Sequence, residues 1–238
     1  MKILSKNTLW SLAACFLAAA AVLLIYFTAK THRHPANYYL FSHFQGSIKP
    51  LSVQRQVLLM TKGVWGPTCP IPPRHLTLVT YSYWDYHGTP HVNEGELIVN
   101  RKFAKQVLAI FKTVYQRRFP IDKDHTEAFD CRPITGQQHV YSEHAYGRAI
   151  DVNFIQNPIS SWKGNKYLNR KIVCTGMIMP NSIVVKTFKK YGWAWGGDWK
   201  EPKDYMHFQK SLPSRETYLK LSHKWPDLTW FIYNPNPK

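Results

Sequence analysis

Ser142-Glu143-His144-Ala145-Tyr146-Gly147-Arg148-Ala149-Ile150-Asp151 is a compact polar stretch with an imidazole and a carboxylate on either side of a glycine. Further along, Gly192-Trp193-Ala194-Trp195-Gly196-Gly197-Asp198-Trp199 leads into Asp204-Tyr205-Met206-His207-Phe208. His144, Asp151 and His207 together make two neutral imidazoles and one carboxylate. Such a set holds a catalytic zinc ion through three protein groups and leaves a position for water. The ion keeps net positive charge, and its bound water drops to a pKa of about 7. Asp204, three residues before His207, is placed to take the water's proton and hand it to a leaving amine. Gly147 indicates a tight turn, or a close backbone approach, between the first two ligands. Each residue taken alone has a plainer reading: a surface histidine, a turn-capping Asp151, a loop acid at Asp204, aromatic packing in the Trp-Gly cluster. Their co-occurrence in short polar, glycine-containing segments favours the metal site.

Working outward, Ala149 to Phe154 reads as a short strand. Upstream, the proline-dense Thr68-Cys69-Pro70-Ile71-Pro72-Pro73 excludes helix and central strand. It introduces a strand from Leu76 to Tyr83, rich in Thr, Val and Tyr, then a turn at Tyr86 to Pro90 and a second strand at Glu96 to Val99. Phe103, Val107, Ile110, Phe111, Val114 and Tyr115 recur at helical spacing, which predicts a helix from Arg101 to about Arg118 with Asn100 as its N-cap. Further helices are predicted over Ile183 to Tyr191, closed by Gly192, and over Arg215 to Ser222, capped by Ser214. Short strands mixed with helices, without repeats, argue for a single α+β domain.

The chain has 238 residues, 45% hydrophobic and 15% aromatic, a composition that excludes a disordered protein. Thirty-one Lys and Arg against fourteen Asp and Glu give a net charge of +17. That excess suits an anionic partner, or simply a solvated basic surface. Leu9 to Ala29 is a charge-free apolar run long enough to cross a bilayer as a helix. Bulky Phe27 stands where a signal peptide would have a small residue, so the run reads as an uncleaved anchor in preference to a cleaved signal. Leu12-Ala13-Ala14-Cys15 resembles a lipoprotein box, but the apolar run continues past it. Cys69, Cys131 and Cys174 follow the anchor, and their pairing is open: three single disulfides are possible, each leaving one thiol.

The first segment resembles the S-x-H-x-x-G-x-A-x-D signature of the zinc D-alanyl-D-alanine carboxypeptidase and dipeptidase family. That family includes the vancomycin-resistance dipeptidases of VanX/VanY type and phage L-alanyl-D-glutamate endolysins. The second segment is similar to the family's C-terminal half-signature, and the resemblance runs from about Cys69 to Gln209. It implies a Hedgehog/DD-peptidase-like α+β zinc domain with a small antiparallel sheet and flanking helices, preceded by the transmembrane helix. With the apolar run, the boundaries are residues 1–30 for the membrane anchor or signal segment, 31–67 for a juxtamembrane linker and lead-in, 68–212 for the peptidase domain and 213–238 for a C-terminal helix and tail. Position by position, the resemblance implies His144, Asp151 and His207 as zinc ligands and Asp204 as the catalytic base. It also implies Arg132 as the group that steadies the oxyanion, and Ser142, Tyr146 and Trp195 as substrate-binding residues. Arg132 has a structural ion pair as its alternative. Many relatives carry Glu as the base and Glu after the final His-Phe, where this chain has Asp204 and Gln209. The short connection before Arg132 also bears on the shape of the groove.

The expected activity is zinc-dependent hydrolysis of peptidoglycan stem peptides, as a D-alanyl-D-alanine carboxypeptidase or, alternatively, an L-alanyl-D-glutamate-type endopeptidase. The expected setting is the periplasmic face of the inner membrane, as a single-pass monomer, with secretion after cleavage the less favoured alternative. A zinc-containing cell-wall binding module without turnover is a second reading, but all four chemical positions are filled with able residues. Nucleic-acid binding through the positive charge is a third, and no zinc-finger spacing, RNP-like motif or basic helix supports it.

Overall fold

The computed structural model describes residues 43–210. The anchor read at Leu9 to Ala29 and the helix read at Arg215 to Ser222 lie outside these residues. Among the described residues, no helix is long and apolar enough to cross a membrane.

Nine consecutive residues with β-branched or aromatic side chains at most positions form β2, Leu76–Trp84, the central strand of the first sheet. It pairs antiparallel with β1, Gly46–Pro50, and with β3, Pro90–Asn100, in the order β1-β2-β3. Eight of its nine residues are buried, between the two flanking strands and the elements packed on it. One cover is α2, Ala104–Gln116, which buries Ala104, Val107, Ile110, Phe111, Val114 and Tyr115, the face that its periodicity predicts. The helix starts later than the sequence suggests. Asn100 accepts a hydrogen bond from the Lys102 amide and donates its own amide to Tyr146 O, so it caps a preceding turn and ties it to the Ser142–Asp151 segment. β3 is longer than expected, because its exposed polar residues Asn93 and Glu94 hide the alternation.

The stretch read as a linker holds two elements. β1 adds an edge strand to the sheet, and α1, Val53–Thr61, is capped by Ser52. Leu51 and Leu59 pack with Ile71, Leu76 and Phe129 in a small second core. The folded unit therefore begins well before Thr68. Beside that core, Cys69 and Cys131 form a disulfide, while Cys174 is an exposed free thiol.

The main core lies between the first sheet, α2, α3 (Ile183–Lys190) and a second sheet. After the β4–β5 ribbon (Pro133–Ile134 with Gln137–Tyr141) come β6 (Ala149–Asp151), β7 (Ala194–Trp195) and β8 (His207–Gln209). The last three form an antiparallel sheet in the order β6-β8-β7. Among the described residues, small antiparallel sheets and three α-helices make an α+β arrangement, as the sequence predicts.

The disulfide closes a chain separation of 62 residues, for which loop entropy assigns at most about 4 kcal/mol of stabilisation. Replacing Cys69 and Cys131 together by Ser is expected to lower the unfolding free energy by up to that amount, whereas Cys174→Ser leaves it unchanged. Urea unfolding of the three forms is the measurement.

Candidate metal centre

β6 and β8 put Asp151 and His207 directly opposite each other in the antiparallel register. Opposed residues of such a pair project to the same side at about 5 Å, within reach of one ion. His144 arrives from the 3-10 turn Glu143–Tyr146, whose N-cap, Ser142, accepts a hydrogen bond from the His144 amide at its hydroxyl. The turn ends on Gly147 with φ 63°, where a Cβ would stand 2.6 Å from Asn100 N. Only glycine suits that position, on both conformational and steric grounds.

The three side chains are buried and converge. His144 Nε2 lies 3.1 Å from His207 Nδ1 and 3.2 Å from Asp151 Oδ2, and His207 Nδ1 lies 3.0 Å from Asp151 Oδ1. The outward nitrogens decide what faces inward. His144 Nδ1 is 2.5 Å from Ala128 O, and His207 Nε2 is 2.9 Å from Gln209 Oε1. Both outer partners are acceptors, so each outer nitrogen can keep its proton while the inner nitrogens, which the Asp151 carboxylate also faces, offer lone pairs to a cation. Two imidazole lone pairs and a carboxylate aimed at one point repel one another unless a cation sits among them. The spacing agrees: small divalent ions bind such donors at about 2.0–2.2 Å, which in a tetrahedron separates the donors by about 3.3–3.6 Å. The cluster therefore fits a divalent metal.

Burial alone would raise the Asp151 carboxyl, but the His144 and His207 imidazoles beside it outweigh burial and hold it well below the usual carboxylate range. His207 is likewise disfavoured as a cation by burial, yet is pushed up by the Asp151 and Asp204 carboxylates. Asp204 is pushed up to about 6, first by burial and then by the Asp151 charge. Its Oδ1 is buried without a hydrogen-bond partner among the described residues. The backbone there is fixed: Asp204 N donates to Gly196 O, and a Cβ on Gly196 would stand 2.5 Å from Asp204 O. Gly196 thus allows the loop carrying Asp204 to approach closely.

The remaining expected site residues are placed differently. Arg132 forms an ion pair with Asp130, Nε to Oδ2 2.9 Å, and its side chain is 42% exposed. Ser142 is spent on capping the His144 turn. Tyr146 lies under the Arg148 guanidinium, 4.3 Å from its ring centre. Trp195 is a core residue, 1% exposed, stacked against Phe208 with its indole N–H donated to Tyr205 O. It supports the sheet from behind.

Four further residues, to which sequence reading gave no role, matter here. Trp199 sets its ring 5.4 Å from that of His207. Gln209 holds the outer nitrogen of His207. Asn153 is fully buried at φ 51°; its Oδ1 accepts from Asp122 N and Thr126 Oγ1, and its Nδ2 donates to Pro120 O and Gly176 O. It thereby anchors the chain two residues past Asp151. The only sequence signal was its place next to the motif. Glu127 lies across the backbone from Asp151, and burial, then the Asp151 charge, push its carboxyl up.

An α+β frame with a buried His-Asp-His donor set and an acid of raised pKa has the constitution of a metal-dependent hydrolase. Residues 135–210 match the family model described as D-alanyl-D-alanine carboxypeptidase. The match covers about a third of the chain and includes His144, Asp151, Asp204 and His207, but not Arg132. It supports a D-alanyl-D-alanine carboxypeptidase-like metallopeptidase at the level of the family. Neither the curated proteins nor the solved structures contain a match.

A divalent ion that binds only the folded state stabilises it by mass action, about 2.7 kcal/mol at a hundredfold excess over Kd. Zinc is expected to raise the melting temperature of the protein by several degrees, and of His144→Ala or Asp151→Ala not at all. Differential scanning fluorimetry with and without chelator measures this. Gly147→Ala is expected to destabilise the fold by about 1–3 kcal/mol, from strain at positive φ and the clash with Asn100 N.

Proposed function

We propose that the protein is a zinc-dependent peptidase acting on peptidoglycan stem peptides, and specifically a D-alanyl-D-alanine carboxypeptidase of the Hedgehog/DD-peptidase fold. The observation that carries the reading is the convergence of two imidazoles and a carboxylate on one point, with Asp204 close enough for its carboxyl to be raised by the Asp151 charge. The family match over residues 135–210 supports the substrate class.

Zinc, when bound, would supply a Lewis acid and a water that loses its proton near neutral pH. His144, Asp151 and His207 would hold it, with one carboxylate leaving the ion net positive. Asp204 accepts the water's proton at its carboxylate and returns it to the departing amine. A group poised near the working pH can do both. Arg132 provides fixed positive charge for the oxygen of the scissile carbonyl. In the free protein Asp130 orients its guanidinium, and substrate would draw on the donors that the pair leaves over. Tyr146 and Ser142 border the groove through the turn that carries His144, and Trp195 acts from behind the sheet. The basic surface and the apolar run at Leu9 to Ala29 support an anionic cell-envelope substrate and a single-pass anchor in the inner membrane, with the domain in the periplasm.

Digestion of purified muropeptides followed by mass spectrometry is the test. Release of terminal D-alanine is expected, and a cut within the stem would indicate the endopeptidase instead. No zinc-dependent product, or an undiminished one from Asp204→Ala, would remove the assignment. Arg132→Ala is expected to lower kcat by about 10²–10³-fold.

Asp204 accepts a proton only when ionised, so activity should fall as pH drops through its pKa. A bound cation favours the ionised form, which places the acid limb of kcat/KM at or below about pH 6. A pH–rate profile measures that limb, and Asp204→Glu should shift its position while retaining activity.

A further inference from the structure

His207 can present Nδ1 to a cation only if its proton stays on Nε2, and an isolated neutral imidazole leaves both tautomers open. In this protein the choice is made within β8. Residues 207 and 209 are two apart in the strand, so their side chains lie on the same face. Gln209 Oε1 stands 2.9 Å from His207 Nε2. An amide oxygen accepts and cannot donate, so Gln209 draws the proton to Nε2 in competition with Asp151 Oδ1, the acceptor 3.0 Å from Nδ1. A proton held on Nε2 leaves the Nδ1 lone pair for a cation shared with Asp151 and His144. His144 obtains the same result from a backbone carbonyl, Ala128 O, which cannot be altered by substitution at that residue. His207 depends on a side chain.

We propose that Gln209 is the positioning residue that fixes the tautomer and ring orientation of His207, and so sets how tightly the site holds a divalent metal. This rests on the metallopeptidase reading of the same cluster. The amide is neutral. It orients the ring without adding a second negative charge to the side of the site opposite Asp151. A carboxylate in its place keeps the acceptor and makes the ring a stronger donor. A side chain without an acceptor leaves the ring free to take either tautomer.

The experiment uses the full-length protein and two readouts. The first is zinc affinity, by competition with a chromophoric chelator. Gln209→Ala is expected to bind zinc about 10–100-fold more weakly, the usual effect of removing a partner of a metal-bound histidine. Gln209→Glu is expected to bind at least as tightly as the wild type. The second readout is the long-range ¹H–¹⁵N spectrum of the imidazoles in zinc-free protein at alkaline pH, where His207 should show the Nε2–H tautomer in wild type and Gln209→Glu and a mixture in Gln209→Ala. Equal zinc affinity of wild type and Gln209→Ala, weaker binding by Gln209→Glu, or an Nδ1–H tautomer in the wild type would each overturn the proposal. Should Gln209→Ala fail to fold, the Gln209→Glu affinity and the wild-type spectrum still decide it. A wild type that binds no zinc yet shows the Nε2–H tautomer would overturn the metal reading and the affinity half of the proposal, leaving Gln209 as the holder of the tautomer.

Discussion

Two imidazoles and a carboxylate are held with their facing atoms 3.0–3.2 Å apart inside this protein. As lone-pair donors to one cation they repel until it is bound, and burial removes the water that would soften the repulsion. The surrounding structure is organised to hold them there. The β6–β8 register sets Asp151 against His207, Gly147 turns the chain so that His144 can join them, and Ala128 O and Gln209 Oε1 lock the two rings from outside. Asn153 adds four hydrogen bonds immediately beyond Asp151, which keeps the end of a three-residue strand from fraying.

Two aspartates in one small region are driven apart in acidity by their surroundings. Asp151, although buried, sits between two imidazoles and stays ionised. Asp204 is buried without a cation of its own, feels the Asp151 charge, and is pushed up to about 6. Environment thus separates a carboxylate suited to hold a cation from one suited to exchange a proton, the usual way one residue type is fitted to two roles. Their spacing depends on Gly196, whose missing side chain lets the Asp204 backbone pack against it.

The frame behind the site is conventional in its physics. A fully covered central strand, an amphipathic helix and an aromatic group from Phe188, Trp193, Trp195 and Phe208 make one continuous core. The second sheet lies directly on that core, so its short strands inherit rigidity that three residues could not supply alone. The disulfide and small second core brace the segment that leads through Phe129 and Arg132 to the site.

The sequence by itself determined which residues could carry chemistry, where the long periodic elements lie, and that the protein mixes helices with short strands. His144, Asp151, His207 and Asp204 were legible because their residue types and order carry the chemistry directly. The helix at Ala104–Gln116 was legible because its apolar positions repeat at a local period. Only tertiary structure decided the rest. β1 has a largely exposed burial pattern, and α1 buries only Leu59, so neither shows a readable face before it docks. The pairing of Cys69 with Cys131, the ion pair between Arg132 and Asp130, and the withdrawal of Trp195 into the core all depend on which distant segments meet. The tautomers of the two histidines follow from outward hydrogen bonds, one of them to a backbone carbonyl 16 residues away. Local pattern reports what a side chain can do; partners brought in from elsewhere in the chain decide which of those things it does.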